Sequence, residues 1–205
     1  MAISRIKTSS VLQGFPKSRS LLAGNTAFSP GDYESIATVT VGSGGSSSID
    51  FTSIPSTYTH LQIRGILRTT ETGATYDGNL VRMRFNGDTG SNYTMHSVVG
   101  YGTGYFADAA ANVAYMEFAR TAINGNGSSM FAVAVADILD YKDTNKFKTM
   151  RTLSGVDLNG GGRVYLSSNL WRSTSAITDI KIYPSSTFSF VQYSQFALYG
   201  IKAGA

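Results

Sequence analysis

Cysteine is absent from this 205-residue chain, which excludes disulfide frameworks and thiolate-ligated zinc and leaves the redox compartment open. Histidine is nearly absent, with His60 and His96 alone. Neither has an H-E-x-x-H partner, and no G-x-S-x-G elbow occurs, so the residues favour neither a zinc hydrolase nor a serine hydrolase. No apolar run approaches the roughly 18–20 residues of a membrane-spanning helix. Long helical periodicity is missing too. Acids are missing from the start of the chain: Arg5, Lys7, Lys17 and Arg19 precede the first acid, Asp32, and by themselves account for the formal charge of +4. Everything from Asp32 onward is formally neutral.

That asymmetry divides the chain into an extended basic arm over residues 1–31 and a body over 32–205. The arm lacks the continuous apolar stretch of a secretory signal, because Gly14, Pro16, Lys17 and Arg19 separate Val11-Leu12 from Leu21-Leu22. The same Gly and Pro interrupt the amphipathic helix of a mitochondrial transit peptide. The arm reads instead as a tether. Arg5, Lys7, Lys17 and Arg19 steer it to an acidic or polar groove of a partner, Val11, Leu12, Phe15, Leu21 and Leu22 supply apolar anchors, and Pro16 fixes a bend.

What the body has in abundance is Gly (22 residues), Tyr (12) and Phe (11), with only 15% charged residues over the whole chain, the balance of strands and turns. Short runs of alternating apolar and polar residues recur: "SIATVTV", "SIDF", "HLQIRGILR", "LVRMRFN", "NYTMHSVV", "AYMEFARTAI", "MFAVAVADI", "FKTMRTLSGV", "GRVYLSSNLW", "ITDIKIY" and "SQFALYGI". About ten strands are predicted. Asn124-Gly125-Asn126-Gly127 and Asn159-Gly160-Gly161-Gly162 read as hairpin turns between them. The fold class expected is all-β, an antiparallel two-sheet sandwich. A jelly roll fits this strand number best and an immunoglobulin-like sandwich second. Leu61, Ile63, Val81, Met83, Phe85, Phe131, Val133, Val135, Val164, Leu166, Ile180, Ile182, Phe196 and Leu198 recur at the strand period and are expected to face the core.

The local chemistry is sparse. Asp137, Asp140 and Asp143 form the best carboxylate cluster, but Lys142, Lys146 and Lys148 are interleaved with them, as in a solvated mixed-charge loop, and the EF-hand order is absent. "GYGTGYFAD" is not a dinucleotide fingerprint, since no helix follows. It reads as a flexible loop, or as a platform of Tyr101, Tyr105 and Phe106 for a sugar ring or a neighbouring subunit. Arg64 with Arg68, and Arg82 with Arg84, each share a strand face. If their strands were neighbours, the four guanidinium groups would share one patch for an acidic subunit or an anionic glycan. A neutral body disfavours direct DNA binding as the main task. No cofactor is implied.

The phrases "RIKTSSVLQGFPKSRSLLAGN", "FTSIPSTYTHLQIRGILR", "VRMRFNGDTGSNY" and "ITDIKIYPSSTFSFVQYSQFALYGIK" resemble those of small structural proteins of tailed bacteriophages. This resemblance implies a non-enzymatic virion protein displayed on the particle surface, as tail fibre, tail accessory or capsid decoration, with an N-terminal attachment segment and a β-sandwich body. Its partners would be capsid, tail or fibre subunits, with a host surface glycan as the alternative. A homotrimer is expected by analogy with other fibre and decoration proteins.

Overall fold

The computed structural model describes residues 33–73, 79–123 and 127–202. The arm, with Arg5, Lys7, Val11, Leu12, Phe15, Pro16, Lys17, Arg19, Leu21 and Leu22, lies outside the described residues, as do most of the Asn124–Gly127 turn and the C-terminal three residues.

Among the described residues the chain is all-β, with twelve strands and no helix. They are β1 (Tyr33–Thr40), β2 (Ile49–Phe51), β3 (His60–Thr69), β4 (Asn79–Phe85), β5 (Tyr93–Tyr101), β6 (Gly104–Val113), β7 (Met116–Ile123), β8 (Ala132–Ile138), β9 (Lys148–Asp157), β10 (Gly162–Trp171), β11 (Ile180–Pro184) and β12 (Gln195–Ile201). The sequence "GYGTGYFAD", expected to be a loop, is instead the tip of the β5–β6 hairpin, with Tyr101 opposite Gly104. Its glycines serve the turn, where Gly102 takes a positive φ of 50°, rather than a flexible segment.

Eight strands pair antiparallel in the order β1-β12-β3-β8-β9-β10-β5-β6. Four more pair antiparallel as β2-β11-β4-β7. A short parallel contact, Arg68 with Ala122 and Thr69 with Ile123, joins β3 to β7 and makes one mixed twelve-stranded sheet. Most pairings nest: β1 with β12, β2 with β11, β3 with β8, β4 with β7, β5 with β6. The β9–β10 hairpin is inserted between β8 and β11 and bridges β8 to β5. It closes through Asn159 and Gly160, both at positive φ, and the Asp157 carboxylate accepts the Asn159 N–H at 2.8 Å, an Asx turn.

The core gathers residues of both runs. Leu61 and Ile63 of β3, Val81, Met83 and Phe85 of β4, Ile180 and Ile182 of β11, and Phe196 and Leu198 of β12 are all buried in one cluster. On β4 and β11 the outward positions carry Arg82, Arg84 and Lys181, so polarity sets the register there. β7 packs across β8, β9 and β10 and is buried at every position but Arg120.

Five expected core positions are corrected by the structure. Val133 and Val135 of β8 and Val164 and Leu166 of β10 are exposed, and Phe131 is only partly buried. β8 turns Ala132, Ala134 and Ala136 inward, while β10 turns in Tyr165, Ser167, Asn169 and Trp171. On β8 the alanine side is the one that β7 packs against, and on β10 the physical reason is polar satisfaction under β7, where the Glu117 backbone needs partners. The Glu117 N–H donates to Asn169 Oδ1 at 3.0 Å, and its C=O accepts Ser167 Oγ at 3.3 Å and Asn169 Nδ2 at 3.2 Å.

Candidate interaction surface

The strand register from β3 to β6 builds a continuous outer face on the longer run. One row across the strands reads Arg64, Val135, Leu153, Leu166, Val98, Ala107. The next reads Ile66, Val133, Gly155, Val164, Gly100, Tyr105. Val164 is 60% exposed, Val133 57%, and Val98 and Leu153 55% each, so among the described residues no loop screens this surface. A polar row borders it on the other side: Gln62, Asp137, Arg151, Ser168, His96.

The inward side of β9, β10 and β5 mixes polar and apolar residues: Ser97, Thr152, Ser154, Ser167 and Asn169 are buried beside Tyr93, Met95, Met150, Tyr165 and Trp171. Outward, one residue along the chain, stand Val98, Leu153, Val164 and Leu166, all exposed. Beneath this face Glu117 is buried, and its desolvation raises the carboxyl above the usual carboxylate range, opposed by Arg120 at 3.9 Å.

Two shallow clefts indent the outer face. One, of about 540 Å³, is lined by His96, Val98, Ala107, Arg151, Leu166 and Ser168 among others. The second, of about 800 Å³, follows the furrow left by Gly100, Gly155 and Gly161 between Val133, Val164 and Tyr101. In the polar row, Gln62 donates to Asp137 at 2.9 Å and Arg151 reaches Asp137 at 3.2 Å. The row thus presents both signs of charge side by side.

The arginines expected to converge do not. In the sheet order β7 stands between β3 and β4, so Arg64 and Arg68 belong to one antiparallel run and Arg82 and Arg84 to the other. The four-guanidinium patch is therefore corrected to separate sites. Arg64 packs over the stacked rings of Tyr33 and Tyr199, at 5.6 and 5.5 Å from their centroids. Arg68 donates to the Gly127 carbonyl at 2.8 Å and covers Phe131. Arg82 lies 4.0 Å over Tyr115, and Arg84 donates to the Ala114 carbonyl at 2.7 Å while covering Tyr183. Each is engaged within the chain, a cation–π use that single-sequence periodicity does not reveal.

The aromatic platform is split as well. Tyr101 and Phe106 meet at 5.9 Å with Arg163 over both rings, whereas Tyr105, opposite Gly100, belongs to the outer face. The three aspartates pair with basic side chains: Asp137 with Arg151, Asp140 with Lys146 at 2.6 Å, and Asp143 with the same Lys146 at 3.4 Å. Among the described residues no group of three His, Cys, Asp or Glu side chains is placed to hold a metal ion, and no helix is long and apolar enough to cross a membrane. His60 Nδ1 accepts the Asp140 N–H at 3.0 Å, a loop contact, while exposed His96 lines the smaller cleft.

The apolar outer face was the feature sequence reasoning missed. The signal for it was present in "RVYLSSNLW", where one parity carries Val164 and Leu166 and the other Ser167, Asn169 and Trp171. No known family model, curated protein or solved structure matches the chain.

Proposed function

We propose that the chain is a non-enzymatic structural subunit displayed on the surface of a tailed-bacteriophage virion, as tail fibre, tail accessory or capsid decoration, held there by its N-terminal arm. The observation that carries the assembly reading is the outer face of β8, β9, β10 and β5, where Val133, Leu153, Val164, Leu166 and Val98 are each about half exposed in adjacent rows. Contiguous exposed apolar area of this kind marks a protein–protein contact. The phage assignment is supported by the resemblance of the sequence phrases. The body is proposed to be a two-layer jelly roll. Nested pairs divide alternately between the two runs, β1-β12-β3-β8 in one and β2-β11-β4-β7 in the other, with the β5–β6 and β9–β10 hairpins added beyond β8. Viral capsid and lectin domains use this architecture.

A gold-conjugated antibody against the chain tests the reading on intact particles under the electron microscope. Labelling concentrated on tail or head is expected, and unlabelled particles would refute the proposal. A second reading, a receptor-binding module for host surface glycans, is favoured by the 540 Å³ cleft, where His96, Arg151 and Ser168 border Val98 and Leu166, the mixture of polar and apolar lining that ligand pockets use. Binding of host envelope polysaccharide lost in Arg151→Ala would support it. No signal at millimolar sugar would count against it.

A further inference from the structure

We infer that the outer face of β8, β9, β10 and β5 is covered by the same face of a second copy of this chain, related by a two-fold axis. The inference rests on the assembly reading and deepens it by naming the partner. Two observations point to a copy rather than to another occupant.

The first is extent. Ile66, Val98, Val133, Leu153, Val164 and Leu166 are each about half exposed, and with Val135 they leave on the order of 600 Å² of apolar surface bare, against roughly 800 Å² per partner in a standard interface. Adding Tyr105 and the polar border closes that difference.

The second is charge. The border carries Asp137 and Arg151 side by side, so the face has no net sign to attract the basic arm or a nucleic acid. It is self-complementary instead. A two-fold rotation sets Arg151 of one copy against Asp137 of the other, as an isologous contact requires.

Sedimentation equilibrium on the full chain, from about 1 to 100 μM, tests this. A dimer of twice the 21.9 kDa chain mass is expected, with Leu153→Glu and Leu166→Lys each weakening association by about 100-fold or more, because each change enters the interface twice and buries a charge. Both positions are exposed, so melting temperature extrapolated to the monomer is expected to stay unchanged. Tyr193→Glu, 69% exposed and off this face, is expected to leave the dimer intact. Asp137→Arg and Arg151→Asp are expected each to weaken the dimer and together to restore it. A monomer at 100 μM, a trimer, or a dimer indifferent to Leu153→Glu would each overturn the proposal. A monomer whose Leu153→Glu variant fails to join particles would overturn the pairing of copies while leaving the assembly reading standing.

Discussion

Lys148 is a lysine with no exposed surface, and replacing it with Met isolates what its charge contributes. The ammonium donates to three backbone carbonyls: Asp143, Lys146 at 2.9 Å and Thr174 at 3.1 Å. Those carbonyls belong to the loop before β9 and the loop after β10, so one side chain ties two loops to the start of β9. Burial disfavours the charge and pushes the ammonium below the usual lysine range, which means the carbonyls offset part of a desolvation cost. Met keeps the stem's packing and leaves three acceptors without a donor. Each unpaired buried acceptor costs about 1–3 kcal/mol, and relief of the ammonium's desolvation returns part of that sum, so the net loss is about 2–4 kcal/mol. In urea the midpoint falls with the m-value unchanged. The melting temperature drops by roughly 5–12 °C for a chain of this size. A Lys148→Met variant as stable as the parent would show that the ammonium is not held by this cage.

Glu117 gives the pH dependence. Its folded pKa is raised by burial, so the folded state is favoured when it is protonated, and that contribution is lost as pH rises from the ordinary carboxylate range through the raised value. Glu117→Gln is therefore expected to melt higher than the parent at pH 7, with the gap closing as the pH falls below about 4.5; a gap that widens in acid would reverse the assignment. Ala134→Asp places a charge under β7 and is expected to prevent folding, whereas Val133→Asp, one residue away on the outer face, is expected to leave monomer stability within about 1 kcal/mol of the parent. Circular dichroism separates the two, and equal losses would refute the register. Gly200→Ala would put a Cβ into the Tyr58 ring, whose hydroxyl is held by Glu34 at 2.7 Å, and is expected to cost about 1–3 kcal/mol in denaturant titration.

Strand positions were legible wherever one side of a strand was charged. Arg82 and Arg84 alternate with Val81, Met83 and Phe85, and Lys181 separates Ile180 from Ile182; no other register would keep charges in water. On β8 both parities are apolar, Ala132, Ala134 and Ala136 against Val133 and Val135. Hydrophobicity ranks the valines inward, yet the alanines are the side that meets β7, a long-range contact. On β10 the hydroxyl and amide of Ser167 and Asn169 go inward because Glu117's backbone, some 50 residues away in sequence, is there to bond them. The arginine patch required β3 and β4 to be neighbours. Nested pairing puts β7 between them, and strand order is not written in local periodicity. Aromatic partners of the arginines were likewise distant, as with Arg82 and Tyr115.

The central claim, that the outer face is covered when the protein is assembled, can be measured directly because the chain has no cysteine of its own. Val164→Cys places one thiol at the middle of that face and Tyr193→Cys places one on exposed surface elsewhere. Labelling of each by a maleimide is followed as the protein is diluted from about 100 to 1 μM, across the range where typical specific contacts dissociate. The account predicts that the thiol at 164 reacts at least about tenfold more slowly at high concentration and gains that factor on dilution, as a tenfold population shift requires, while the thiol at 193 reacts at one rate throughout. Equal, concentration-independent labelling at both positions would contradict it.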